Sequence, residues 1–507
     1  MIALQLLLAC AVHAAPLDFA GARIVTAPGA ADMEVFAARD LSRYFRLICG
    51  QESPVVRDPE DAPAVFVGVS PDALPPEADD QAFALRVVAT EPPRLRILGK
   101  TPIGVQYGVY SLLEKLGVGF YLGGDALPVR RHELLIPPDL DETNAPVFRL
   151  RGSLPWYNFL NSPTTWDLED YQFFFDQMAK MKMNFVGFHS YDHEPFCAYP
   201  EGGQWRMGQP AATSLTYGWG TVRHLATRDF GFGTGQCFPY EVFGSRSAAL
   251  AKEPQEPSPD GAVFPHRTLQ DDAIIRAQCV LAQGLQYATQ RGVKTCVGFE
   301  LVGDPTNPEQ RRIEEARLRH TLATYPMVEY VWFWQSEGLG GGSEPTASDS
   351  PLDLIVQRHH STFEYLGNEN RIAEAARVAA WAQWAHALVK RLRPDLKVAV
   401  SGWGGDRWMR FSDFYIGLDK LLPEDVIFAA LDNIDPSWEP NVSAAYGQLS
   451  PTREKWPIPW WESDGGGLRR DQWGPQCNVK PFTSLVRDAQ AKGCQGILGI
   501  HWQTRGV

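Results

Sequence analysis

Two stretches, VEYVWFWQSEG (Val328–Gly338) and WPIPWWESDGG (Trp456–Gly466), are built alike and decide how the rest of the chain is read. Each is an apolar, aromatic-rich run that stops at a carboxylate, Glu337 or Glu462, with glycine close behind. A short apolar run bounded by glycine reads as a strand buried on both faces. A carboxylate at its end sits where parallel barrels carry their reactive groups, at the C-terminal mouth of a strand-lined core. The pattern predicts a parallel α/β barrel with acidic groups at its rim.

Working outward from these runs, the chain after Pro146 shows eight strand candidates. They are Phe148–Pro155, Asn184–Ser190, Lys294–Leu301, Val328–Ser336, Lys397–Trp403, Asp425–Leu431, Trp456–Glu462 and Gln495–Trp502. Helical patterns separate most of them: Trp166–Lys182, with Phe174, Met178 and Met181 on one side, then Asp271–Gln290, Glu309–Ala323 and Arg371–Leu392, stopped before Pro394. Eight strands alternating with helices imply a (β/α)8 TIM-type barrel over 146–507. Only four residues follow Gln503, so the closing helix is expected to be missing. The stretch 191–270, rich in Gly, Pro and aromatics, is too long for a simple connection and is expected to wall the substrate site.

Residues 16–140 alternate strand and helix signals ahead of the barrel. Strands are expected at Ala22–Thr26, Ala64–Val69, Ala82–Val88 and Leu95–Leu98, and helices at Met33–Phe45 and Gly104–Leu116, the second ended by Gly117. No nucleophile or phosphate loop stands out there, so the role is architectural.

Bulk properties narrow the function. The 507 residues exceed one ordinary core, and two domains are expected. A net charge of −13 argues against a nucleic-acid partner. Sixteen tryptophans suit sugar-stacking platforms as well as core. The start, MIALQLLLACAVHAAP, reads as a secretory signal peptide over 1–15, with a lipoprotein-type alternative at Cys10. No later run of about 18 apolar residues offers a membrane span. Beyond Cys10, cysteines 49, 279, 296 and 494 are expected as buried thiols, while Cys197 and Cys237 fall in loops that could approach each other.

The first domain also carries a resemblance. Helix MEVFAARDLSRYF (33–45), strand AVFVGVS (64–70), strand RLRILGK (94–100) and then TPIGVQYGVYSLLEKLGVGFYLGGDALP (101–128) resemble a small α/β domain of known glycosidases. It precedes the barrel in the hexosaminidases of glycoside hydrolase family 20 and the α-glucuronidases of family 67. The resemblance implies a catalytic barrel downstream. It departs from family 20 before Glu337, where Ser336 stands in place of that family's Asp.

Paired carboxylates flanked by tryptophan are what glycoside hydrolysis needs. Glu337, beside Trp332 and Trp334, is expected to stay protonated as the general acid/base. Glu462, followed by Ser463 and Asp464, is expected ionised as nucleophile or base. Acid/base after strand four and nucleophile after strand seven is also similar to the arrangement in a large clan of retaining glycosidases. Glu300, Asp432, His189 and Asp464 are read as ligands for sugar hydroxyls, and Trp334, Trp403, Trp461 and Trp502 as stacking surfaces. Trp408 and Trp460 are further stacking candidates, and Arg151, His501 and Arg505 could grip a sugar carboxylate. Asp192 and His193 near His189 lack metal-ligand spacing, so no metal or other cofactor is expected. The expected activity is a secreted or periplasmic glycosidase acting on a carbohydrate partner, with a non-catalytic sugar-binding protein on the same scaffold as the rival.

Overall fold

The computed structural model describes residues 15–155, 163, 166–190, 195–206, 271–335, 350–403, 410–432, 441–460 and 479–501. The chain divides into two compact units, Met1–Val147 with Lys180–Lys182, and Phe148–Ala179 with Met183–Val507.

In the first unit a six-stranded sheet runs in the order Asp141–Asn144, Phe83–Thr90, Pro93–Gly99, Ala64–Val69, Arg23–Thr26, Val55–Val56. The last four are parallel to one another, while Phe83–Thr90 forms an antiparallel hairpin with Pro93–Gly99 and pairs with Asp141–Asn144. Helices Asp32–Cys49 and Pro102–Lys115 bury Ala38, Leu41, Phe45, Val109 and Leu113 in the core beside Val65 and Ile97. The second helix begins two residues before the expected start because Pro102 suits a first helical turn, where no N–H is needed. At Gly108 an added Cβ would lie 2.6 Å from Ile97 Cγ2, so helix and sheet approach more closely than any side chain permits.

The second unit is a parallel barrel. Its strands are β1 (Leu150–Pro155), β2 (Phe185–Ser190), β3 (Lys294–Glu300), β4 (Tyr330–Trp334), β5 (Lys397–Ser401), β6 (Val426–Phe428) and β7 (Gly496–His501). They lie in the order β6-β5-β4-β3-β2-β1-β7, all parallel. The ring closes through segment 455–460, bridged to β6 at Phe428–Lys455 and to β7 at Trp460–Ile500. Its ladder is incomplete for a chemical reason. Trp456 and Ile458 donate to the Phe428 and Ala430 carbonyls on the β6 side. On the β7 side the Pro457 and Pro459 carbonyls accept from Leu498 and Ile500, but neither proline has an N–H to return.

Around the ring run α1 (Leu168–Lys180), α2 (Asp271–Gln290), α3 (Pro308–Thr324), α4 (Pro351–Phe363), α5 (Glu369–Leu392), α6 (Tyr415–Leu421) and α7 (Val479–Ala491). Asn307, Ser350 and Asn368 accept from first-turn amides and so cap α3, α4 and α5. The α2 helix buries Ile274, Ala277, Leu281, Leu285 and Ala288. Cys279, expected buried, falls off that face and is exposed, whereas Cys49, Cys197, Cys296 and Cys494 are buried. Cys237 lies outside the described residues, as do 1–14 and most of 191–270. No helix among the described residues is long and apolar enough to cross a membrane.

Strand alternation sorts side chains between the barrel interior and the helix layer. Phe185, Tyr330 and Trp456 form an aromatic bottom layer, with ring centroids 5.1 Å apart for Phe185–Tyr330 and Phe185–Trp456. Above it Trp332 is fully buried and donates from Nε1 to the Phe188 carbonyl at 3.0 Å. Room for its indole comes from glycines on β3 and β2, the two strands to one side of β4. A Cβ on Gly187 would stand 2.1 Å from the Trp332 ring, and one on Gly298 1.8 Å from the Trp332 carbonyl oxygen. Packing of this kind around an aromatic is worth about 3–5 kcal/mol when the ring is truncated.

Candidate functional site

Above Trp332 the interior changes character. The uppermost inward residue of β2 is His189, continuing the series Phe185, Gly187, His189, and that of β3 is Glu300, continuing Cys296, Gly298, Glu300. Glu300 pairs in register with Trp334, the last residue of β4, and His189 with Gly298. Trp403 follows β5 and bridges to Leu431. All four therefore stand at the C-terminal ends of adjacent strands, where parallel barrels assemble their sites.

The geometry is compact. His189 Nε2 lies 3.6 Å from Glu300 Oε1, with the two side chains 0% and 5% exposed. The His189 ring meets Trp334 at 5.0 Å and 67°, and Trp403 at 6.1 Å and 84°. Trp334 and Trp403 lie 5.6 Å apart at 59°, and Trp334 sits edge-on to Trp332 at 5.3 Å. An imidazole and a carboxylate thus stand side by side against two indoles. Such a surface can offer both a donor and an acceptor in a dry setting, where each is stronger than in water.

Asp432 and Arg151 are placed elsewhere. Ile427, Ala429 and Leu431 belong to the interior cluster, so the alternation turns Asp432 toward the helix layer. There its Oδ1 accepts from the Ser412 N–H at 3.5 Å, in the 3-10 turn Phe411–Phe414. Burial pushes its pKa up to about 6, against the opposing effects of Ser412 and Arg410. Arg151 lies near the N-terminal end of β1, bonded to the Phe148 carbonyl, away from the strand ends that carry His189 and Glu300. Glu337, Glu462, Trp461, Asp464 and Trp502 lie outside the described residues, as do Asp192, His193, Trp408 and Arg505. Trp460 closes segment 455–460 and belongs to the interior cluster. Among the described residues no group of His, Cys, Asp or Glu is placed to hold a metal ion.

The sequence singled out His189 and Glu300 separately but not as a pair, since 110 intervening positions separate them. Counting by twos back from each strand end through the glycines was the available signal.

No family model matches this sequence, and no curated protein sequence does. Solved structures do match. One is a GH138 enzyme targeting pectin rhamnogalacturonan II, with TM-score 0.50 and 12% identity over 94% of this chain and 46% of that one. Another is a GH115 4-O-methyl-α-glucuronidase with specificity for decorated arabinogalactans, with TM-score 0.51 and 11% identity over 95% and 54%. A mutant Streptomyces plicatus β-hexosaminidase in complex with GlcNAc matches with TM-score 0.48 and 11% identity over 97% and 83%. The chain spans about half the length of the first two. At these identities the likeness is one of fold: a TIM-type barrel with an additional α/β domain, shared with structures that are glycoside hydrolases.

Proposed function

We propose that this chain is a secreted glycoside hydrolase, with Glu337 as general acid/base and Glu462 as nucleophile or base. The observation that carries the reading is the His189–Glu300 pair on an indole surface at the C-terminal mouth of the barrel. A hydroxyl-rich, flat-faced substrate fits that combination of polar wall and aromatic floor. Chain position adds support. In the sequence Glu337 comes three residues after Trp334, the last residue of β4, and Glu462 comes two after Trp460, the last described residue of segment 455–460.

An aryl-glycoside panel that includes α-glucuronides and β-N-acetylhexosaminides, run beside polysaccharide digests, tests the reading. Wild type is expected to release sugar, and Glu337→Gln to lower kcat at least a hundredfold with folding intact. Unchanged turnover in that variant would sink the assignment. Saturable glycan binding without product from wild type would put the sugar-binding alternative in its place. Secretion is checked by the mature N-terminus, expected near Ala15.

A further inference from the structure

We infer that the open face of the six-stranded sheet in the first unit is a binding strip for an acidic polysaccharide, with Arg96 gripping its carboxylates. This goes beyond the glycosidase reading and does not depend on it. The two helices of that unit cover one face of the sheet, where Val65, Leu95 and Ile97 lie in the core. Strand alternation therefore turns Val56, Val25, Phe66, Arg96, Arg86 and Asp141 to the other face. Those six stand in register, one from each strand, and form a single row across the sheet. Chain segments cover the face on both sides of the row. Toward one set of strand ends Leu74 packs with Ala84, and Leu98 rests against them. Toward the other, Arg94 donates to the carbonyls of Glu60 and Ala62. The row between stays open, with Arg96 exposed and Phe66 half-buried.

The row is apolar at one end and charged at the other. Arg86 and Arg96 face each other across an antiparallel pair, a like-charge arrangement that by itself costs stability. Arg86 is matched, its Nε donating to Asp141 Oδ1 at 2.9 Å. Arg96 has no partner among the described residues and stands between Arg86 and Phe66. A uronate residue meets both halves of the row. Its carboxylate takes the guanidinium fork through two parallel hydrogen bonds, and its C–H face lies on the Phe66 ring. Strands repeat the row every ~4.8 Å, close to the length of one sugar residue, so a chain lying across them sets successive residues over successive side chains. A narrow, extended occupant suits a strip covered on two sides, as a flat membrane does not, and the net charge of −13 argues against nucleic acid. The flanking loops carry Asp61, Asp72, Glu77 and Asp80, so the attraction is local to the row and the affinity modest.

Affinity electrophoresis of the full chain in gels containing polygalacturonate, beside gels containing dextran, tests this. Retardation by polygalacturonate and not by dextran is expected, and it should fade as salt is raised from about 0.15 M to about 1 M, where screening shortens to ~3 Å. Arg96→Gln is expected to weaken the binding about tenfold or more, the loss of a charged donor pair. Arg96→Lys keeps the charge without the fork and should fall between, and Phe66→Leu, which removes the ring, should also weaken it. Thermal unfolding of Arg96→Gln should match the wild type, since the side chain is exposed. Turnover of a soluble aryl glycoside should be the same in both proteins, so failure of the strip and failure of the glycosidase reading are told apart. Equal retardation by dextran, no retardation by either polymer, or an affinity unchanged in Arg96→Gln would overturn the strip. Binding to phosphatidylglycerol vesicles in place of polygalacturonate would overturn it as well.

Discussion

Asp432→Asn isolates one buried charge. The carboxyl sits 5% exposed between the end of β6 and the turn Phe411–Phe414, and burial raises its pKa from the ordinary 3.8 to about 6. A group whose folded pKa is raised favours folding most when protonated in both states. Its contribution is therefore fully present below pH 3.8 and is lost as the pH rises through about 6. The difference between the two values corresponds to about 3 kcal/mol. Asparagine keeps an oxygen to accept from the Ser412 N–H but never ionises, so the variant escapes that loss. Urea denaturation of both proteins at pH 4.5 and pH 8 reads the effect. Relative to their difference below pH 3.8, the variant should already gain about 1 kcal/mol at pH 4.5 and up to about 3 kcal/mol at pH 8. A stability difference that stays flat with pH, or favours the wild type at pH 8, would refute the assignment of a raised pKa to this carboxyl.

Two further substitutions probe the barrel itself. Gly298→Ala places a methyl 1.8 Å from the Trp332 carbonyl oxygen, and is expected to destabilise by at least about 1–3 kcal/mol, measured by denaturant unfolding; a neutral result would contradict the close packing described for Trp332. Arg453→Met removes a buried guanidinium that donates to Asp419 Oδ1 at 2.7 Å and to the carbonyls of Val426 and Leu422, and it should cost about 3–5 kcal/mol because Asp419 is left without that partner; a loss below 1 kcal/mol would show the pair to be dispensable.

Much of the fold was legible because parallel strands covered on both faces leave continuous apolar runs that need no partner to be recognised. The β2, β3 and β4 runs were each expected within a few residues of where they lie, and α2 spans Asp271–Gln290 as read. The α4 helix was not anticipated, although Ser350 and Pro351 carry the signature of a capped start and Leu352, Ile355, Val356 and Phe363 stand at helical spacing; of these only Phe363 is buried, so the apolar stripe is short. The site was legible in residue type and not in arrangement. Glu300 and Asp432 look alike in sequence, each a carboxylate closing an apolar run. Only the inward series on each strand separates a lumen residue from one facing the helix layer, and that series is anchored by long-range packing around Trp332.

The two prolines of segment 455–460 have a consequence for how the chain reaches this structure. Trp456–Trp461 is among the most apolar stretches in the molecule, the sort of strand that invites pairing with another chain while a barrel is still open. With Pro457 and Pro459 in place, one of its edges can accept hydrogen bonds but cannot donate them. A second copy of the same segment meets that edge with the same deficit, so a prolines-to-prolines ladder cannot form. The strand β7, which brings donors at Leu498 and Ile500, suits the edge where the proline edge of a like segment does not. The irregular seam of the barrel thus disfavours one mode of pairing between two copies, the one that sets their proline edges together.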